Sequence, residues 1–241
     1  ETDIDHHEDI NIEAGISDQE VDYLLKAFNS QFPSKILNRS DVLSTWAGVR
    51  PVIGAEKSKD PSKERRDHAV WSDNGLITVS GGKLTTFRLI ALDALAAAKD
   101  NLPQAEEISD DRVFLTPTIT AQSLSPDNTS WAQRLLGRYG EKAIELVNES
   151  LPDEHRNLNE TEFSLAECRW AIKYEAVEHL DDLLLRRTRL GMCLPNGGTN
   201  LYPALKELFL SNQNWDDERW QQEVTRYETI WKKYYSLPND A

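Results

Sequence analysis

The sequence predicts an α+β protein, in which a region with a few antiparallel strands and some helices precedes an all-helical C-terminal region. Three observations predict this class. Short β-branched and apolar runs occur before residue 101, a stretch punctuated by Pro, Ser and Asp covers residues 101–126, and apolar residues recur at helical spacing after it. We therefore expect two domains, residues 1–110 and residues 111–241.

The elements expected in the first region begin with a helix over residues 18–29, capped by Ser17. Three strand-like segments follow, at residues 42–47, 69–71 and 76–79. The last of these is β-branched and apolar, and we expect it to be buried. The next helix, over residues 84–98, has apolar side chains on nearly every face, which predicts a buried helix.

After a short extended stretch at residues 112–116, the rest of the chain has a helical pattern. The helices are expected at residues 131–139, 141–149, 164–190, 201–209 and 215–235. In the third of these, Asp182 and Arg186 can pair one turn apart, and we interpret the segment as packing. A contact of Arg186, Arg187 and Arg189 with a partner is the alternative, and nothing local decides between the two.

The run SGGKLTTFR at residues 80–88 joins the last strand-like segment to the following helix. Its two glycines can adopt backbone angles closed to other residues and allow a ligand to approach closely. The first helical amides are unsatisfied donors, and Lys83 adds a charge, so the turn suits a phosphate or an electron-rich carbonyl. A P-loop is excluded, because it requires Gly where Ile77 stands and Ser or Thr where Leu84 stands. A purely structural Gly-Gly connection remains the alternative.

The segment around this turn is locally basic. From Arg50 to Arg88 there are eight Lys and Arg against five acidic residues, although the net charge of the chain is −14. Arginines at strand ends in such a segment favour an anionic small substrate. The side chains interpreted as merely solvated in a loop are those of Lys57, Lys59, Lys63 and Arg65.

Composition excludes several classes of function. A net charge of −14 argues against nucleic-acid binding, because phosphates would be repelled. No apolar run approaches the roughly 20 residues that span a bilayer, and no signal peptide is visible. Cys168 and Cys193 lack metal-ligand spacing and are expected to be reduced thiols. His6 and His7 stand on a polar arm and are interpreted as solvated, so we expect no metal site.

Four motifs of this sequence together resemble those of a known protein family. GVRP at residues 48–51, RD at 66–67 and GGKLTTFR at 81–88 stand in the order and approximate spacing of FAD-dependent glycerol-3-phosphate dehydrogenases. The run YEAVEHLDDLLLRRTR at residues 174–189 resembles the C-terminal helical signature of that family. The chain begins at Glu1 and contains no Gly-x-Gly-x-x-Gly after a strand, so we expect it to be the C-terminal half of such an enzyme.

The resemblance implies the oxidation of sn-glycerol 3-phosphate to dihydroxyacetone phosphate, with electrons passing through FAD to a quinone. It implies that Arg50 and Arg66 hold the substrate phosphate and that Lys83 reaches the substrate or the flavin. The implied flavin-binding residues are Gly81, Gly82, Lys83, Leu84 and Thr85, and the amides of the last two would face the flavin pyrimidine carbonyl. The general base is expected outside this chain, and His68 is not assigned to that role. The isolated chain is expected to be colourless and inactive.

The anaerobic members of the family carry a cysteine-rich iron–sulfur module, so the resemblance favours the aerobic, quinone-linked type. That type implies a cytoplasmic enzyme attached peripherally to the membrane, and it allows a homodimer. Two alternatives stay open. One is a glycerol-3-phosphate oxidase that uses oxygen as the acceptor, and the other is a non-catalytic helical interaction module.

Overall fold

The computed structural model describes residue 9 and residues 11–49, 68–102, 118–158 and 161–238. The chain divides into two compact units, one of Glu1–Ala14 with Gly48–Asp111 and one of Gly15–Ala47 with Arg112–Ala241. In the described residues the first unit holds a β-hairpin and a helix, and the second unit is helical, which confirms the α+β class. The predicted domain limits, 1–110 and 111–241, stay a prediction.

A β-hairpin forms the described sheet of the first unit. Strand β1 (His68–Asp73) pairs antiparallel with β2 (Leu76–Gly81) in a register that places His68 opposite Gly81. Asn74 and Gly75 connect the strands with φ angles of 48° and 87°. Positive φ at both central residues is the requirement of a type I′ turn, whose twist matches that of the paired strands. The strands predicted around residues 69–71 and 76–79 are thus confirmed.

A helix follows β2. A 3₁₀ turn, Leu84–Thr86, leads into α2 (Phe87–Ala98), and a further 3₁₀ turn, Lys99–Asn101, ends it. The helix predicted over residues 84–98 is therefore present.

The predicted burial of the strand at residues 76–79 is wrong, and the apolar helix at residues 84–98 is likewise exposed among the described residues. Leu84 is 88% exposed and Leu89 is 57% exposed. On β2, Leu76 is 68% exposed. The described part of the first unit consists mainly of this hairpin and α2, so few neighbours are available to cover these apolar side chains.

Helix α1 (Asp18–Gln31) opens the second unit and confirms the predicted cap at its N-terminus. The Ser17 hydroxyl accepts from the backbone N–H of Glu20, whose side chain accepts from the backbone N–H of Ser17. After α1, a 3₁₀ turn (Arg39–Asp41) brings the Arg39 guanidinium to 2.5 Å from Asp18 and 2.8 Å from Asp22. These ion pairs hold the turn against the helix.

The strand predicted over residues 42–47 is wrong. This stretch is extended but joins no sheet in the described residues. Thr45 is buried instead, and its N–H donates to the Tyr235 carbonyl at 2.8 Å while its hydroxyl donates to the Ser236 carbonyl at 2.9 Å. The extended backbone therefore docks on the end of the chain's last described helix, so residues 15–47 belong to the second unit.

Helices form the rest of the described second unit. They are α3 (Ala121–Leu124), α4 (Thr129–Tyr139), α5 (Lys142–Glu149), α6 (Leu165–Tyr174), α7 (Leu190–Cys193), α8 (Tyr202–Asn212) and α9 (Asp217–Tyr234), with 3₁₀ segments at Pro152–His155 and Pro195–Leu201. The helices predicted at residues 131–139, 141–149, 201–209 and 215–235 are confirmed within a few residues. The extended stretch predicted at residues 112–116 lies outside the described residues.

The continuous helix predicted over residues 164–190 is wrong. Helix α6 ends at Tyr174, and Ala176 has a positive φ of 51° that a right-handed helix does not allow. The chain resumes as a π-helix, Asp182–Arg187, and Arg189 takes a second positive φ of 56° before α7. Apolar spacing continues through these breaks, which is why the sequence pattern alone does not reveal them.

Two apolar clusters form the described core of the second unit. The larger draws on α6, the π-helix, α7, α8 and α9, and includes the fully buried Phe209 and Tyr227. The smaller gathers α4, α5 and α6 around Leu135. Cys168 is buried and Cys193 is exposed, and both are free thiols as predicted. Burial raises the pKa of the Cys168 thiol, so the thiol stays protonated and unreactive.

Candidate functional site

The predicted strand–glycine–helix connection stands at the end of β2. Gly81 and Gly82 have φ angles of 76° and 84°, which residues with a Cβ rarely adopt. Lys83 is extended, with φ −125° and ψ 151°, and precedes the first helical turn. The Thr86 hydroxyl accepts from the Lys83 N–H at 3.3 Å and donates to the Lys83 carbonyl at 3.0 Å. These bonds fix the backbone that carries Lys83. We call residues 81–85 the glycine turn.

Gly82 packs closely against the helix that follows it. A Cβ at this position would lie 2.5 Å from Cδ1 of Ile90 and 3.2 Å from Cβ of His68. A glycine is therefore required here by φ, and a Cβ would also displace the flexible end of Ile90. This requirement holds whether or not the turn also binds a ligand, so the structural interpretation of the glycine pair keeps its support.

The glycine turn presents hydrogen-bond donors to solvent. The N–H groups of Leu84 and Thr85 lie in the first turn, where no helical carbonyl precedes them as a partner. The side chains of Lys83, Leu84 and Thr85 are exposed. The positive end of the dipole of α2 and the Lys83 ammonium add to the attraction for negative charge. A phosphate oxygen or an electron-rich ring carbonyl matches this set of donors.

Five of the predicted site residues fall in this one turn, namely Gly81, Gly82, Lys83, Leu84 and Thr85. Arg50 and Arg66, the predicted phosphate ligands, lie outside the described residues. Arg66 precedes His68 by two positions, and His68 lies opposite Gly81. The chain therefore enters the hairpin at the end where the glycine turn leaves it.

The sequence analysis did not predict two features near the site, although the first of them has a signal in the sequence. The Asn74-Gly75 hairpin turn carries a sequence signal, because Asn-Gly between strand-like runs is typical of a type I′ turn. The contact of the His68 ring with Asp93 joins residues 25 positions apart, and no local signal indicates it.

Several side chains of the run at residues 174–189 make contacts within the second unit. The Asp181 side chain is 2% exposed and accepts hydrogen bonds from the guanidinium groups of Arg186 and Arg226. The predicted pair of Asp182 and Arg186 is present at 3.4 Å. Arg187 donates through Nε to the Glu175 carbonyl at 2.6 Å. These contacts favour the packing interpretation for Arg186 and Arg187.

A second buried carboxylate lies in the same region. Glu223, 2% exposed, lies 2.9 Å from Nδ1 of His179 and 2.7 Å from the Arg219 guanidinium, and it accepts from the Leu180 N–H at 3.1 Å. Each buried carboxylate thus has cationic and hydrogen-bonding partners. Such saturation is typical of structural ion pairs, so the carboxylates of Asp181 and Glu223 are engaged in structural contacts.

The described ranges offer neither a metal site nor a membrane-spanning helix. There, no three His, Cys, Asp or Glu side chains gather in a way that could hold a metal ion. His6 and His7 lie outside these ranges. Within the same part of the chain, every helix is too short or too polar to cross a bilayer.

Most of the second unit matches a known domain family. Residues 116–220 match a family described as the C-terminal domain of alpha-glycerophosphate oxidase. This match covers the helices from α3 to the start of α9.

Longer relatives carry the resemblance over most of the chain. The mitochondrial glycerol-3-phosphate dehydrogenases of Bos taurus and Homo sapiens are each 30% identical over 241 aligned positions, which cover 92% of this chain and 32% of the relative. The aerobic glycerol-3-phosphate dehydrogenase of Bacillus subtilis is 32% identical over 190 positions, 69% of this chain and 34% of the relative. The chain therefore spans about a third of the length of these relatives. These matches confirm the resemblance to the glycerol-3-phosphate dehydrogenase family.

A solved structure has the same fold. The glycerol-3-phosphate dehydrogenase of Bacillus halodurans, determined in complex with FAD, aligns with a TM-score of 0.61 over 93% of this chain and 45% of that chain. At 24% identity the likeness concerns the fold.

Proposed function

We propose that this chain is the C-terminal portion of a FAD-dependent enzyme that oxidises sn-glycerol 3-phosphate to dihydroxyacetone phosphate. One observation carries the proposal. The glycine turn, fixed by two glycines at positive φ, exposes Lys83 and the first amides of a helix in the order that the resemblance requires. The names of the relatives support the same substrate.

The donors of the glycine turn fit a flavin. The amides of Leu84 and Thr85 and the Lys83 ammonium can only donate, and the pyrimidine edge of a flavin carries carbonyl acceptors. Bound FAD would supply the electron acceptance that oxidises the substrate carbinol. Leu84 and Thr85 would donate to the ring carbonyl and stabilise negative charge there, because fixed dipoles act strongly where charge develops. Gly81 and Gly82 would let the ring approach the backbone closely.

The arginines would bind the substrate phosphate. Arg50 and Arg66 each offer a planar fork of donors, which matches phosphate geometry better than an ammonium does. Lys83 would then reach the substrate or the flavin. The base that accepts the hydroxyl proton would come from the part of the enzyme that this chain does not contain.

We propose a quinone as the electron acceptor, in line with the aerobic type that the sequence favours. We also propose that the complete enzyme is held peripherally at the cytoplasmic face of the membrane. A homodimer is compatible with this proposal. Oxygen is the competing acceptor, and the oxidase name of the matched domain family keeps it in view. Turnover of the complete enzyme under anaerobic conditions with a soluble quinone would support the quinone. Stoichiometric hydrogen peroxide formation in air, with no activity towards quinones, would favour oxygen.

The arginine assignment can be tested by mutation in the complete enzyme. We expect Arg50→Ala or Arg66→Ala to lower kcat/KM for glycerol 3-phosphate roughly 10- to 100-fold, because each loses a charge-assisted forked contact. Turnover of glycerol, which lacks the phosphate, should change little. Lys57→Ala is the matched control from the same basic segment and should behave as the parent.

If either arginine variant keeps the parent kcat/KM for glycerol 3-phosphate, that arginine does not bind the phosphate. A reading frame that continues upstream into a Gly-x-Gly-x-x-Gly strand–helix unit would separate the enzyme from the alternative of a non-catalytic helical module. A start codon close to Glu1 would favour the module.

A further inference from the structure

A polar contact joins the two sides of the glycine turn. Nε2 of His68, the first residue of β1, lies 2.6 Å from Oδ2 of Asp93 on α2. A carboxylate oxygen can only accept a hydrogen bond, so Nε2 carries the hydrogen in this contact and donates the bond to Oδ2 of Asp93. The His68 side chain is 23% exposed and the Asp93 side chain 52% exposed.

His68 also touches the turn itself. It is the ladder partner of Gly81, and its Cβ lies 3.2 Å from where a Cβ of Gly82 would stand. One residue therefore contacts the strand that enters the glycine turn and, through Asp93, the helix that leaves it.

Apolar packing does little to hold α2 in this region. None of the described residues of the first unit is fully buried. When packing is thin, a short charge-assisted hydrogen bond contributes more to the orientation of an element than it would in a dense core.

We propose that His68 and Asp93 form a positioning pair for the glycine turn. The pair fixes the angle of α2 to β1, and so sets the direction in which the Leu84 and Thr85 amides point. The importance of this direction for catalysis rests on the proposed function, whereas the effect of the pair on the turn does not.

The first experiment uses the 241-residue chain without cofactor. Amide exchange and chemical shifts of residues 82–86 are measured by NMR for Asp93→Ala, for Asp93→Asn, which keeps an acceptor oxygen, and for Asp73→Ala. Asp73 is the matched control, because it occupies the opposite end of β1. We expect Asp93→Ala to shift these amides and to speed the exchange of the hydrogen-bonded Lys83 and Thr86 amides at least about 5-fold. Asp93→Asn should stay closer to the parent, and Asp73→Ala should match it. His68→Phe, which keeps a ring but has no N–H donor, checks the pair from its other side and should reproduce the Asp93→Ala shifts.

Unchanged amides in Asp93→Ala, or equal changes in Asp73→Ala, would overturn the proposal. A variant that loses the hairpin altogether is recognised by the loss of the β1–β2 amide pattern. In that case Asp93→Asn and His68→Phe decide. Parent-like amides in Asp93→Asn together with shifted amides in His68→Phe support the pair.

The second experiment uses the complete flavoenzyme. Asp93→Ala should lower kcat/KM roughly 10-fold or more, since small displacements of positioning groups are costly. It should also make the flavin reduction potential more negative, because misdirected amides stabilise the reduced ring less. Asp93→Asn should recover part of both. A parent enzyme without flavin or activity would refute the proposed function, and the NMR result on the isolated chain would still decide the role of the pair.

Discussion

Gly82 and Gly75 both have φ angles near 85°, yet their surroundings differ. A Cβ on Gly75 would meet nothing within 4 Å, whereas a Cβ on Gly82 would overlap Cδ1 of Ile90 at 2.5 Å. The two positions therefore separate the cost of the backbone angle from the cost of crowding.

We expect Gly75→Ala to destabilise the hairpin by about 1–2 kcal/mol, the cost of a left-handed angle for a residue with a Cβ. Gly82→Ala should lose a further ~1–3 kcal/mol, because the new methyl group forces Ile90 or the helix to move. Exchange of the β1 and β2 amides measures both losses. In the double variant with Ile90→Ala the extra loss should shrink. Equal losses for the two glycines would mean that crowding at Gly82 is relieved without cost.

Among the elements, the π-helix and α9 are linked through a buried charge. Asp181 stands at the start of the π-helix and binds Arg226 from α9 as well as Arg186 from the π-helix itself. Thr188 closes the π-helix, with its N–H 3.0 Å and its hydroxyl 2.7 Å from the Leu183 carbonyl. The wide turn and the ion pairs together hold a segment that the apolar pattern alone predicts as ordinary helix.

The pKa of Asp181 gives this link a pH dependence. Burial alone would raise the pKa, but hydrogen bonds from Arg186 and Arg226 outweigh burial and lower it. A lowered folded-state pKa means that the unfolded chain binds the proton more readily. The stabilisation is therefore present above the unfolded value of about 4 and is lost as pH falls below it.

We expect Asp181→Asn to lower the free energy of unfolding of the second unit by about 1–3 kcal/mol at neutral pH, because it removes the charge that binds two guanidinium groups. The variant should also lose stability less steeply than the parent below about pH 4. Urea unfolding followed by circular dichroism across this range measures both effects. Asp153→Asn, an exposed carboxylate of the same unit, is the control. A variant whose stability falls in acid as steeply as the parent's would show that Asp181 does not carry this pH dependence.

For the molecule as a whole, the described residues of the two units differ in how well they bury apolar side chains. The second unit has two buried clusters, whereas the first exposes Leu84, Leu89 and Leu76. Contiguous apolar surface on a soluble chain promotes association. The resemblance supplies a reason for this surface, because the proposed complete enzyme would cover it with the flavin-binding part that lies outside the chain.

Limited proteolysis of a dilute sample tests this difference. We expect early cuts within residues 68–102 and a resistant core from the helical second unit, because local opening is easiest where burial is low. The sequence pattern alone predicts that residues 1 to about 110 are cut early or protected by self-association. The buried Thr45, however, ties residues 15–47 to the end of α9. That segment should remain bound to the core after cleavage, as mass spectrometry of the purified product would show. Early digestion of the C-terminal helices with survival of residues 68–102 would contradict this view of the two units.

Short-range signals in the sequence determined much of this structure. The Ser17 cap, the strand before the glycine turn and the helices at residues 131–149 and 201–235 depend on residues a few positions apart, so spacing and capping reveal them. The same locality explains the candidate site, since Gly81 to Thr85 are consecutive and their chemistry can be read from their order.

Only the tertiary structure decided what depends on distant partners. The Thr45 hydroxyl donates to the carbonyl of Ser236, 191 positions away. The extended segment around Thr45 therefore packs against the end of α9 and joins no sheet among the described residues. The buried charge of Asp181 is paired by Arg226, 45 positions further along the chain. The segments on both sides of the break after Tyr174 pack with α8 and α9 in one apolar cluster. The exposure of the apolar helix α2 has the same physical reason. Apolar spacing predicts that a helix face is stabilised when another element covers it. Whether the face is buried depends on that covering element, and the described residues of this chain do not supply one.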